Sequence, residues 1–278
     1  MGRFAAGFTV RLEAVDYKAG LPCSARAKGP QCRILSFPIA KVSFQSSMSL
    51  LLTNDDGVDA PGLAALLNIT RKWGPATIVA PQVEQSGVAH RVTDQQPIAV
   101  EMRDERRFAV DGTPADCARL GLLHLANGAQ WLLSGINAGG NLGSDIYMSG
   151  TVAAAREAAL LGTPAVALSQ YRRHLDRPSD WTRTARWAML VLEFLFEHEL
   201  ATGEFWNVNF PDPDDPDIEP EIVICPVDPG HHAVAYELTS SGWSYRGRYQ
   251  ERHRHPGCDV DVCFSGQIAV SRITTRAT

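Results

Sequence analysis

The chain has little of what marks several large functional classes. None of its six cysteines (Cys23, Cys32, Cys117, Cys225, Cys258 and Cys263) forms a Cys-x-x-Cys pair, which removes zinc-ribbon and thioredoxin-like readings. No stretch approaches the ~20 apolar residues of a membrane span, so no membrane partner is expected. A net charge of −5 over 278 residues, with no clustered basic surface, argues against a nucleic-acid polymer as partner. Internal repeats and low-complexity linkers are absent. A cytoplasmic location with reduced thiols is expected, and Cys117, set in an apolar helical pattern, reads as a small buried hydrophobe.

Residues 1–47 differ from the rest. They carry seven Lys and Arg against two Asp and Glu, whereas the remainder carries 19 against 29. Arg11, Glu13, Asp16 and Lys18 interrupt any apolar core of a secretory signal. The segment is expected to be an N-terminal extension, disordered or read from a start placed too early, because Met48 directly precedes the first strand pattern. A basic targeting leader is the other reading. The folded domain is expected over residues 48–278.

From Met48 the pattern alternates strands and helices. Residues 50–53 (LLLT) are a continuous apolar run, as a strand buried on both faces requires. After Asn54-Asp55-Asp56-Gly57, Pro61 opens a helix expected to reach residue 73. Residues 76–80 (ATIVA) complete a strand–helix–strand unit of the size of a right-handed parallel crossover. The pattern then predicts a helix over 116–125, a strand over 131–134, an irregular Gly- and Asn-rich stretch over 135–150 and a helix over 151–161. A strand over 165–168, a helix over 181–199 and strands over 206–210, 222–225 and 268–273 follow. Residues 229–256, rich in His, Arg, Tyr and Gly, read as an excursion in the form of a hairpin. Trp131, Trp187 and Trp206 fall inside predicted elements and read as core.

In open α/β sheets, ligands bind beyond the carboxyl ends of strands where the strand order switches. Three predicted strand ends carry polar loops: Asn54-Asp55-Asp56-Gly57, Gln85-Ser86-Gly87 and residues 134–141 (SGINAGGN). The adjacent carboxylates of Asp55 and Asp56 repel one another unless a cation lies between them. A few oxygen ligands with room for water suit Mg²⁺ or Mn²⁺ better than Zn²⁺. The same tetrapeptide is also ordinary turn chemistry, with Gly57 supplying positive φ. Asn137 offers a carbonyl oxygen to a metal and Asn141 an amide to a phosphoryl oxygen, although a flexible loop has the same composition. Ser149-Gly150-Thr151 opens the alanine-rich helix, where unpaired N–H groups favour an anion and plain N-capping would use the same residues. His231-His232 and His253-x-His255 have no acidic or cysteine partner spaced with them and read as an exposed loop.

Four blocks, taken in order and spacing, resemble the SurE family, the stationary-phase survival proteins that act as metal-dependent nucleotidases. They are LLLTNDDGVDAPG (50–62), VAPQVEQSG (79–87), VDGTPADCARLGL (110–122) and SGINAGGNLGSDIYMSGTVAAAREAALLGTPAVALS (134–169). The match runs from residue 48 to about 274. Residues 229–256 match loosely, and 1–47 have no counterpart. The resemblance implies a Rossmann-like three-layer α/β fold with a mostly parallel sheet, an extended hairpin and a C-terminal assembly segment, in a homodimer or homotetramer. It implies one divalent metal ion per subunit, Mg²⁺ or Mn²⁺, on Asp55, Asp56, Ser86 and Asn137; Ser86 comes from the resemblance alone. It further implies a phosphate site at Asn141, Ser149, Gly150 and Thr151, with Asp55, Asp56 and Asn141 as the catalytic group. The implied reaction is hydrolysis of nucleoside 5′- and 3′-monophosphates, extending to short polyphosphate. A non-catalytic nucleotide- or phosphate-binding module with a structural metal is the alternative. Haloacid-dehalogenase chemistry is set aside, since it needs Asp-x-Asp and a later lysine, and no lysine follows Lys72.

Overall fold

The computed structural model describes residues 10–12, 33–35, 47–215, 217–231 and 234–276. Its strands are β1 (Val10–Leu12), β2 (Arg33–Leu35), β3 (Leu50–Thr53), β4 (Ala76–Pro81), β5 (Val100–Asp104), β6 (Arg107–Val110), β7 (Trp131–Asn137), β8 (Ala165–Gln170), β9 (Glu204–Phe210), β10 (Ile222–Ile224), β11 (Tyr236–Thr239), β12 (Gly242–Tyr245) and β13 (Ile268–Thr274). The α-helices are α1 (Pro61–Thr70), α2 (Pro114–Leu120), α3 (Gly150–Leu160), α4 (Trp181–Phe196) and α5 (Asp259–Phe264).

Eleven strands form one sheet in the order β2-β1-β10-β13-β9-β8-β7-β3-β4-β6-β5, and β11 pairs with β12 as a separate hairpin. From β9 across to β6 all neighbours are parallel. The direction reverses at β13, which is antiparallel to β9. The chain runs outward from β3 through β4 and β6, returns to β7 on the other side of β3, and runs outward again through β8 and β9. The order therefore switches between β3 and β7, and the site loops follow these two strands and β4.

Because β3 is an unbroken apolar run, its side chains serve both faces. Leu50 and Leu52 pack with Ile78, Ala80, Leu133 and Val166 against the α1 and α4 residues Leu63, Leu66, Trp187 and Val191. Leu51 packs with Val79, Leu132 and Ala167 against Cys117 and Ala118 of α2 and Val152, Ala155 and Ala158 of α3. Each such leucine contributes about 1.5–3 kcal/mol by burial. Three layers result, as the resemblance implied. Trp187 and Trp206 are buried, and Trp131 packs against the same core.

Several boundaries differ from the sequence pattern. The 116–125 helix begins earlier, at Pro114, because Thr113 and Asp116 form a reciprocal capping box, and it finishes as a π turn over Gly121–Leu125. Strand β7 continues past Ser134 to Asn137, where the glycine content suggested irregular chain. Fully buried Ile136 anchors the extension, and the pairing with β8 shifts register between Ser134 and Asn137. A 3-10 turn, Gly143–Tyr147, also lies within the supposedly irregular stretch. Within residues 1–47, β1 and β2 lengthen the sheet edge beside β10; the other residues before Ser47 lie outside the described ones.

Candidate active site

The loop after β3 is built by Asn54, which is buried and brackets Gly57: Nδ2 donates to the Gly57 carbonyl at 2.8 Å and Oδ1 accepts from its N–H at 3.2 Å. This closed turn, with Gly57 at φ +105°, sends Asp55 inward and leaves Asp56 at the rim. Asp55 is 5% exposed and lies against the start of α3. Thr151 Oγ1 donates to Asp55 Oδ1 at 2.5 Å, and the Thr151 N–H also donates to this carboxylate. Gly150 is required for the approach, since a Cβ there would come within 2.8 Å of Asp55 Cβ.

Burial pushes the Asp55 carboxyl up to about 6; the Thr151 hydroxyl opposes the rise and the Asp56 charge adds to it. Asp56 is also shifted upward, first by burial, with the Ala138 N–H at 3.1 Å opposing and Glu84 reinforcing. Two neighbouring carboxylates are thus both held in surroundings that disfavour their charged forms.

Asp55, Asp56, Ser86, Asn137, Asn141 and Ser149 line one cleft of about 630 Å³. Ser86 donates to Glu84 Oε1 at 2.5 Å, which spends its proton and leaves its oxygen lone pairs. Asn137 Nδ2 donates to the Gly139 carbonyl at 2.8 Å, so Oδ1 is the atom left for a ligand. Asn141 is held from three sides: its N–H by Asn209 Oδ1 at 2.7 Å, its carbonyl by Asn207 at 2.9 Å and Asn209 at 3.1 Å, and one amide hydrogen by Ser169 Oγ at 2.8 Å. Ser149 accepts from the Val152 N–H at 3.0 Å as the N-cap of α3. Gly150 and Thr151 are buried behind Asp55 rather than on the cleft wall. The hydroxyl and N–H of Thr151, expected to face a phosphate, donate to the buried carboxylate of Asp55.

Glu84, Asp145, Arg172 and Trp181 also line the cleft, and sequence reasoning missed them. Glu84, two residues before Ser86, and Asp145, between Asn141 and Ser149, could have been found; Arg172 and Trp181 arrive from beyond β8. Arg172 is the only cation among the described lining residues, against four carboxylates. Among the described residues no group of three or more His, Cys, Asp or Glu is arranged to hold a metal ion. Any cation here would rest on two carboxylates and neutral oxygens. Of the histidine candidates, His231 is exposed and His232 lies outside the described residues. His255 does have an acidic partner, Asp228 at 2.8 Å, too far along the chain for spacing to reveal.

The family model for Survival protein SurE matches residues 50–232. The chain belongs to the SurE family. A relative from Synechocystis sp. is 48% identical over 226 residues, covering 81% of this chain and 99% of its own. The 5′-nucleotidase SurE of Paramagnetospirillum magneticum is 36% identical, over 85% of this chain and 93% of its own length. The crystal structure of the SurE protein from Aquifex aeolicus superposes with a TM-score of 0.72 at 29% identity, over 83% of this chain and 94% of that one. No helix among the described residues is long and apolar enough to cross a membrane.

Proposed function

We propose that the chain is a phosphomonoesterase that hydrolyses nucleoside 5′- and 3′-monophosphates, and short polyphosphate, with a divalent metal ion. The carrying observation is the adjacent pair Asp55 and Asp56, both destabilised as anions, at the sheet's switch point in a cleft of four carboxylates and one arginine. Such a cleft repels a phosphate dianion. A hard divalent cation reverses that, and the donors fit one: two carboxylates, the Ser86 hydroxyl oxygen and Asn137 Oδ1 are all oxygen. The 5′-nucleotidase names of the relatives support the same reaction.

Bound there, Mg²⁺ or Mn²⁺ would polarise a phosphoryl oxygen and lower the pKa of a water. The rest belongs to the chain. Thr151 and Gly150 fix the inner carboxylate, and the Ala138 N–H fixes the outer one. Asn141, with its second amide hydrogen, and Ser149, whose hydroxyl hydrogen is not used in capping, face the phosphoryl group. They stabilise the charge that spreads over its oxygens in the transition state. Self-association through the hairpin is supported by the exposure of Tyr236, Leu238, Trp243 and Tyr245.

Phosphate release from AMP, 3′-AMP and tripolyphosphate, measured with Mn²⁺ or Mg²⁺ and with excess chelator, tests the reading. Metal-dependent release that chelator abolishes and Asp55→Asn loses is expected. AMP binding without release would point instead to a non-catalytic nucleotide-binding module.

A further inference from the structure

The loop that carries Ser86 is fastened to α3 by a set of contacts outside the cleft. His90 Nε2 lies 2.7 Å from Glu157 Oε2, and the other oxygen of Glu157 accepts from Arg119 Nε at 2.7 Å. Glu157 sits on the alanine-rich face of α3 with its side chain only 4% exposed, so its charge is tolerable only while these partners stay in place. The Arg156 guanidinium reaches His90 Nδ1 at 3.4 Å and the Ile146 carbonyl at 2.7 Å. With Arg156 as the donor at Nδ1, the ring proton is on Nε2 and points at Glu157.

The backbone beside this pair carries a second, independent mark. Ala89 has φ +55°, the only non-glycine residue with positive φ among those described. An alanine in the left-handed region costs about 1–2 kcal/mol. Here it turns the chain so that Ser86 faces the cleft while His90 faces α3. The Ala89 N–H donates to the Met148 carbonyl, just ahead of α3, at 3.1 Å, and the Gln85 N–H donates to the Asp55 carbonyl at 2.7 Å. One helix therefore sets both sides of the site: its first turn holds Asp55 through Thr151, and its second turn holds the Ser86 loop through Glu157.

We infer that His90 and Glu157 are positioning residues that keep the Ser86 hydroxyl in register with Asp55 and Asp56. This rests on the reading of Ser86 as a metal ligand. Neither residue touches substrate; the pair acts by removing slack from a loop whose turn is otherwise unfavourable. Groups that orient metal ligands typically change metal affinity by about 10- to 100-fold when removed.

The test is Mn²⁺ binding to the full chain, followed by titration calorimetry, with thermal unfolding measured without metal. His90→Ala leaves Glu157 with Arg119 and is expected to lower the metal-free unfolding temperature, to bind Mn²⁺ about tenfold more weakly in the folded state, and to regain its kcat at saturating Mn²⁺. His90→Gln, which keeps a donor toward Glu157, is expected to recover most of the affinity. If His90→Ala does not fold, His90→Asn, too short to reach Glu157, is read in its place. Wild-type affinity in the shortened variant overturns the inference, as does a kcat that excess Mn²⁺ leaves low. Ser86→Ala separates the two levels. Weakened binding there with none in His90→Ala sinks the tether alone, whereas unchanged binding in Ser86→Ala sinks the ligand reading and the tether with it.

Discussion

Thr151 directs both its hydroxyl and its backbone N–H at the carboxylate of Asp55, so the first turn of α3 serves as the seat of an aspartate. The seat is tight, because Gly150 leaves no room for a side chain between helix and carboxylate.

Two substitutions therefore act on Asp55 without touching it chemically. Thr151→Val keeps the shape but removes a hydrogen bond to a charged group, worth about 1.5–3 kcal/mol, and kcat/KM for AMP should fall by about tenfold or more. Gly150→Ala drives a methyl into Asp55 and should cost about a hundredfold, the scale set by a displacement of about 1 Å. Steady-state kinetics of folded variants decides; wild-type rates in Gly150→Ala would show that the close approach has no bearing on turnover.

Much of this arrangement was legible in the residues. The strand–loop–helix rhythm placed Asp55, Asp56 and Asn137 at strand ends, and the parallel order of β7, β3 and β4 brings those loops to one cleft. Ser86 came from family resemblance alone, since one serine in a polar loop has no periodicity to mark it. Thr151 was legible as a helix start but not as the partner of Asp55, because the contact joins residues 96 positions apart. The continuation of β7 to Asn137 was hidden by glycine, whose composition resembles a loop even where Ile136 is locked in the core.

The raised carboxyl of Asp55 is also a statement about stability. A group whose pKa goes from 3.8 unfolded to about 6 folded stabilises the fold while neutral; that contribution is present below pH 3.8 and is lost as pH rises through about 6. At pH 7.5 the metal-free protein thus carries a burden of about 3 kcal/mol relative to the neutral acid. Asp55→Asn should lose turnover yet raise the metal-free Tm at pH 7.5 by about 5–10 °C, with the gain gone at pH 4. Calorimetric unfolding at both pH values decides, and a variant less stable than wild type at pH 7.5 contradicts the burial argument.

Metal affinity should carry the same signature. A cation at this site binds the ionised pair, so below about pH 6 it must displace a proton from Asp55, and the upward shift of Asp56 acts in the same sense. The apparent Mn²⁺ affinity should be nearly level above pH 7 and fall by about tenfold per pH unit below 6. Binding isotherms at pH 5, 6, 7 and 8 measure it. A flat profile would mean that the cation rests on groups other than these two carboxylates.

The turn that leads into α3 depends on residues from the excursion that matches the family loosely. Arg252 forks onto Asp145 at 2.6 and 3.0 Å, and Tyr249 donates to the same carboxylate at 2.8 Å and lies 3.2 Å from the Gly140 carbonyl. Both members of the Arg252–Asp145 pair are largely buried, with side chains 8% and 12% exposed. Taking away the arginine removes two charge-assisted hydrogen bonds from a largely buried carboxylate that keeps the Tyr249 hydroxyl and the Leu142 N–H, at a cost of about 3 kcal/mol, and loosens the loop carrying Asn137 and Asn141. Arg252→Ala should therefore lower Tm by about 10 °C or more and raise amide exchange over residues 137–145. Arg252→Lys should recover only part of this, since an ammonium cannot make the two-pronged contact. Adding Asp145→Asn to Arg252→Ala should restore part of the stability, because it removes a buried charge whose counter-ion is gone. A double variant no more stable than Arg252→Ala would assign the loss to stacking of the guanidinium on the Tyr249 ring, 4.6 Å from its centroid, not to the ion pair.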